Sequence, residues 1–158
     1  MNTIARDKLK EPFVTALVDV ERVLGNSYCP CSGLCVAAGW VLEDKPTITG
    51  INYESASYGL TLCAERSALT RAQVKGVIRD GIGMVISASW RPAETSASPL
   101  SPCGACRQWL AELAQRLGRD FPVYSFWKGA ENGIVTTARE LLPNSFDMNN
   151  LSTSDATS

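Results

Sequence analysis

Histidine is absent from the 158 residues of this chain, and no other gap in its composition excludes as much. Any mechanism that needs an imidazole base or an imidazole metal ligand is ruled out. Catalysis near neutral pH must come from Cys, Asp, Glu, Lys or a metal. A long apolar run is also missing: none reaches the roughly 20 residues of a membrane span. The opening MNTIARDKLK carries no apolar signal core, so the expected compartment is the cytoplasm. Net charge is only −1, with a pI of about 5.5, and lysine and arginine form no run. That is a poor footprint for a duplex or a long single strand, so a ligand of nucleic-acid type should be small. No internal repeat is present.

What the chain does contain is enough apolar surface for a core, with 45% hydrophobic and 20% charged residues. One domain over residues 1–146 is expected, followed by a polar, mobile tail over 147–158 (DMNNLSTSDATS). Val14, Leu17, Val18, Val20 and Leu24 recur at helical spacing within 7–25, ahead of the stop residues Gly25 and Asn26. Two β-rich runs, 34–42 and 47–53, read as a hairpin turning through Asp44, Lys45 and Pro46. A helix over LTLCAERSALTRAQVKG follows, then an apolar strand over 82–90, as expected of a strand covered on both faces. Residues 91–101 have loop composition, SPCGACRQWLAELAQRLG is a helix ending at Gly118, and 121–127 is a strand. A short strand and helix close the domain before Pro143. This order predicts an α/β fold, a three-layer α/β/α sandwich around a mixed five-stranded sheet.

Six cysteines carry the chemistry. In a cytosolic chain they are expected as thiols or metal ligands rather than disulfides. Cys29, Cys31 and Cys35 crowd into YCPCSGLC and resemble the start of a metal site. The segments TLCAER and SPCGACR make a stronger case. Ser101 is a good helix N-cap and Pro102 suits the first turn, so Cys103 and Cys106 lie where backbone N–H groups and the helix dipole favour thiolates. Cys63 lies near another helix start. A bare Cys-x-x-Cys fits a redox pair or half of a zinc knuckle equally well. With Cys-Ala-Glu about 40 residues upstream, the pattern becomes the three-cysteine form of the zinc deaminase signature. Three thiolates on one tetrahedral Zn2+ leave a fourth position for water.

On these residues, and on GINYESASYGLTLCAERSAL, PVY and ELLPNSF, the chain resembles cytidine deaminases of the small homotetrameric type from about Tyr28 to Phe146. The resemblance implies hydrolytic deamination of free cytidine and 2′-deoxycytidine, as in pyrimidine salvage, with one zinc per chain held by Cys63, Cys103 and Cys106. It makes Glu65 the group that takes the proton of the attacking water, protonates N3 and helps ammonia leave; otherwise Glu65 is a solvated carboxylate in a first helical turn. Arg66 matches an arginine that hydrogen-bonds ligand sulfurs, offsetting the excess negative charge of three thiolates. Asn52 and Glu54 match ribose-binding positions, and alternation along a strand sets them on one face. Ala64 matches a residue whose backbone reads the cytosine edge. Tyr58 and Phe146 match aromatics that approach a neighbouring subunit's site, which implies a homo-oligomer with shared sites.

The chain departs from the family pattern at Cys31 (for tyrosine), Leu34 (for the phenylalanine beside the base), Ala37 (for glycine) and Ser55 (for asparagine). Leu34 keeps an apolar wall but loses a π-face, so the exact nucleoside is open. Alternative readings are a deaminase of a modified or antibiotic nucleoside of the blasticidin type, a polynucleotide editor, and a non-catalytic zinc-stabilised module. The charge balance disfavours the editor, and Glu65 disfavours the module. With the metal assigned elsewhere, Cys29, Cys31 and Cys35 are expected as small, partly buried thiols at the edge of the substrate pocket.

Overall fold

The computed structural model of the chain describes residues 1–90 and 100–147. The expected loop over 91–101 therefore lies mostly outside the described residues, as does the tail beyond Asp147. Elements follow in the order β1 (Asn2–Ala5), α1 (Phe13–Val23), β2 (Leu34–Leu42), β3 (Ile48–Ile51), α2 (Ala64–Val74), β4 (Gly81–Trp90), α3 (Gly104–Leu117), β5 (Pro122–Trp127), β6 (Asn132–Thr137) and α4 (Ala138–Leu141). The sheet is mixed, with strand order β1-β6-β5-β4-β2-β3. It has six strands rather than the expected five. The extra one is β1, which pairs antiparallel with β6 from Asn2↔Val135 to Ala5↔Asn132. Four residues are too few to show a periodicity, and this strand exists because β6 offers it an edge.

The layers are as expected. Even-numbered residues of β2 and β4 (Ala38, Trp40, Met84, Ile86) meet α2, α3 and α4 through Ala64, Ala68, Leu69, Leu110, Leu113, Ala138 and Leu141. The opposite face sets Val41, Val85 and Phe126 against Ala16 and Leu17 of α1. That helix begins at Phe13 rather than near Asp7, because Pro12 takes the N-cap position and a separate turn covers Arg6–Lys8. Near its other end Val20 and Leu24 pack on Cys29, Cys35 and Ala37.

Strand directions decide where the site forms. β2 is antiparallel to both β3 and β4, so β3 and β4 run the same way, and β5 is parallel to β4. α2 follows β3 and α3 follows β4, which brings both helix N-termini to the same end of the sheet. In open α/β sheets that carboxyl end is where ligands bind. Close approach of α2 depends on Gly50 of β3, where a Cβ would run into the backbone of Ala64 and Ala68. At the far end of α3, Gly118 adopts φ 68° and closes the helix in the left-handed region.

Candidate active site

Cys63 is the N-cap of α2 and Cys103 the N-cap of α3, both with extended backbone and neither using its side chain to cap. Ser101, expected at that cap, instead accepts a hydrogen bond through its hydroxyl from Arg107 Nη2 at 3.1 Å. Cys106 lies one turn into α3 and is buried. The three Sγ atoms lie within 4.8 Å of one another, with Cys63–Cys103 and Cys103–Cys106 each at 3.6 Å. Tetrahedral zinc with Zn–S bonds of about 2.3 Å needs sulfurs about 3.8 Å apart. The trio fits zinc, in number, in donor type and in spacing. Among the described residues this is the one such group of potential ligands.

The charge environment matches. A hydrogen bond from the Cys106 thiol, and then the Arg66 guanidinium, draw the Cys63 thiol down to about 5 against the effect of its burial. Cys106, donor in that bond and itself buried, is pushed up. Arg66 Nη2 donates to Cys63 Sγ at 3.7 Å and to the Thr61 carbonyl at 2.9 Å. Its Nε is buried with no acceptor among the described residues. Glu65, in the first turn of α2, is 5% exposed. Burial raises its carboxyl to about 6 against its own backbone N–H, and the Cys63 charge adds to the rise. Ala64, between them, is buried. A protonatable carboxyl thus stands in a buried first helical turn, beside the Cys63 thiolate and the two sulfurs grouped with it.

A second group adjoins the first. Tyr53 and Leu62 exchange backbone hydrogen bonds at 2.9 and 3.0 Å, one residue before Cys63. On either side of Tyr53, Asn52 and Glu54 lie beyond the end of β3, which stops at Ile51 rather than at 53. Both are buried and both face the 28–36 segment. The Asn52 amide accepts from Val36 N and donates to Leu34 O, each at 2.9 Å. Glu54 accepts from the N–H groups of Cys31 and Ser32 at 2.7 and 3.2 Å, and from the Ser32 hydroxyl at 2.5 Å. Burial pushes its carboxyl up, but these donors outweigh it and hold it below the usual range. Ser32 was not singled out in the sequence; a hydroxyl in a tight turn opposite a carboxylate was its available signal. Leu34 opens β2, partly exposed. Tyr58 and Phe146 are 62% and 55% exposed, so neither is a core residue.

The thiol reading of YCPCSGLC needs correction. Cys29 and Cys35 form a disulfide, S–S 2.04 Å, and Cys31 alone of the three is a free, exposed thiol. Both partners sit against α1 and Ala37 on the far sheet face. The turn that points Cys31 and Ser32 at Glu54 brings Cys29 and Cys35 together at its base, a long-range consequence that local spacing does not reveal.

Residues 13–117, bearing all of this geometry except Phe146, match the cytidine and deoxycytidylate deaminase zinc-binding region. The chain belongs to this deaminase family. Within it, a cytidine deaminase from Halalkalibacterium halodurans is 40% identical over 129 residues, 78% of this chain and 88% of the relative. One from Sporosarcina psychrophila is 35% identical over 143 residues, covering 85% and 96%. Among solved structures, the cytidine deaminase of Burkholderia pseudomallei superposes with a TM-score of 0.73 at 29% identity, over 87% of this chain and all of the other. The family accounts for the three-layer fold, and its zinc-binding region is in keeping with the cluster of three cysteines.

Proposed function

We propose that the protein is a zinc-dependent hydrolase that converts free cytidine and 2′-deoxycytidine, with water, to uridine or 2′-deoxyuridine and ammonia, in pyrimidine salvage. The observation that carries this reading is the trio of cysteine sulfurs at zinc spacing with a buried glutamate two residues after the first. A zinc ion held by Cys63, Cys103 and Cys106, one per chain, would supply Lewis acidity and lower the pKa of a water. Glu65 takes a proton from the attacking water, passes it to N3 of the ring, and then serves the departing amine. Arg66 spreads the charge of the thiolates, and the Ala64 backbone faces the base edge. Asn52 and Glu54 bind the sugar hydroxyls, with Glu54 exchanging its Ser32 and Cys31 partners for them. Tyr58 and Phe146 reach a neighbouring subunit's site in a homotetramer. Support for sharing is their high exposure beside an otherwise buried core.

The test is ammonia release and the ultraviolet change on a panel of cytosine nucleosides, with zinc counted by elemental analysis. Turnover of cytidine with one zinc per chain is the expected outcome. No turnover of any member with zinc bound would favour a zinc-stabilised module. Turnover of a modified nucleoside alone would favour the antibiotic-type deaminase.

A further inference from the structure

The end of the sheet at which α2 and α3 begin carries an aromatic pair that none of these roles employs. Trp90 is the last residue of β4, and it lies directly across from Leu34 in the antiparallel β2–β4 register. Cross-strand partners point to the same face, with Cβ atoms about 5 Å apart. That face is the one bearing α2 and α3, since Met84, Ile86 and Ala38 of the same alternation pack under those helices or in the same cluster. Trp90 and Leu34 also lie at the end of the sheet from which both cysteine-bearing helices start. Trp127, the last residue of β5, stacks on Trp90 with ring centroids 6.3 Å apart and planes 22° from parallel. A backbone bond from Lys128 N to Ala88 O at 2.8 Å continues the pairing of β5 with β4 past Trp127. Both rings remain partly exposed. The other aromatic pair of this face, Trp40 and Phe121, is buried at the opposite end of β2 and edge-to-face. Trp40 also spends its N–H on Ile78 O at 3.0 Å. One pair is core; the other is a partly open, pre-stacked surface at the end of the sheet where α2 and α3 begin.

We infer that Trp90, backed by Trp127, is a substrate-binding residue: its ring forms the aromatic wall against which the nucleobase packs, next to the apolar wall of Leu34. This rests on the functional reading above, since a flat heterocycle is what such a wall recognises. A base stacks on an aromatic face without regard to its edge pattern. The wall therefore contributes affinity for a ring, and the polar edge contacts are left to Ala64 and Glu65. Trp127 acts through Trp90, as a positioning residue, because offset stacking restricts the rotamers of the outer ring.

Steady-state kinetics with cytidine, together with quenching of tryptophan fluorescence by the product uridine, test it on the zinc-loaded protein. Trp90→Ala should raise KM and weaken uridine binding about tenfold, the order of one base–aromatic stack, with the loss falling on KM rather than on kcat. Trp90→Phe should restore most of the affinity, and Trp127→Ala should produce a smaller rise in KM. Should the alanine variant fold poorly by circular dichroism, Trp90→Leu keeps apolar bulk, removes the π-face and must show the same rise. A KM and a uridine affinity within twofold of the unaltered protein, in a folded Trp90→Ala or Trp90→Leu variant, would overturn the inference while leaving the deaminase reading intact. An unaltered protein that turns over no cytosine nucleoside removes the functional reading instead. In that case, absence of quenching by cytidine and uridine overturns the wall as well.

Discussion

Glu65 stands two residues past an N-cap cysteine, in a first turn that is almost closed to solvent. Burial there does two things: it raises the carboxyl towards the pH at which proton transfer runs both ways, and it keeps bulk water from competing for the proton. Glu65→Gln preserves shape and most hydrogen bonding but cannot shuttle a proton. Its kcat on cytidine should fall by about 10²–10⁴-fold, while elemental analysis still finds one zinc per chain. Near-normal turnover with zinc bound would remove Glu65 from the chemistry. Cys63→Ala should differ in kind, losing the metal along with activity, because two remaining thiolates do not complete the ligand set.

Helix α2 delivers Cys63 and Glu65 only because β3 lets it come close. A Cβ at Gly50 would strike the α2 backbone at Ala64 and Ala68 rather than a yielding side chain. Gly50→Ala should therefore cost about 1–3 kcal/mol, as overpacking does, and displace the first turn. Thermal melting and turnover should fall together; a normal Tm would contradict the close approach. On the other sheet face, α1 is tied down by Glu21. Its carboxylate accepts from Arg6 Nη2 at 2.7 Å and Nη1 at 3.1 Å, and from the Ser87 hydroxyl at 3.3 Å. Burial pushes the Glu21 carboxyl up, but the Arg6 hydrogen bonds and charge more than reverse this and hold it below the usual range. The resulting stabilisation is present above the unfolded glutamate pKa of about 4.3 and is lost as pH falls through the lower folded value. Denaturant unfolding of Glu21→Gln should thus show a flatter acid limb than the parent chain and converge with it in strong acid. The cysteines of α2 and α3 were legible in the sequence because Cys-Ala-Glu, Pro-Cys-x-x-Cys and a helix-forming composition are local signals, although the cap of α3 falls on Cys103 and not on Ser101. β1 and the Cys29–Cys35 disulfide were not, since each depends on a partner that the fold, and not the neighbouring sequence, supplies. The Glu21 anchor escaped for the same reason, with Ser87 lying 66 positions further along the chain.

The expectation of an oligomer rests in the sequence on the resemblance alone, and the surface offers a physical argument for it. Tyr28 and Tyr53 pack with ring centroids 4.8 Å apart and planes tilted by 32°, both exposed. Tyr53 pairs with Leu62, and Tyr58 and Leu60 occupy the turn between them, all exposed. Phe146 stands exposed beside α3, its backbone clamped by the Gln108 amide at 2.9 and 3.3 Å. A monomer leaving such a cluster in water forgoes roughly 25 cal/mol for every Å² of it that an interface would cover, and contiguous apolar patches of this kind mark contact surfaces. The cluster leads directly into Cys63, so an interface built on it would roof the reacting groups as it formed. Assembly and activity should then rise together with protein concentration. Sedimentation should give a mass near four times 17.0 kDa, and Tyr58→Asp, which sets a charge in the contact without touching the zinc ligands, should yield smaller species with reduced turnover. The zinc content and circular dichroism of that variant should stay those of the parent chain. A Tyr58→Asp monomer as active as the parent would show that each subunit completes its own site, and would return the tyrosines to the role of surface residues.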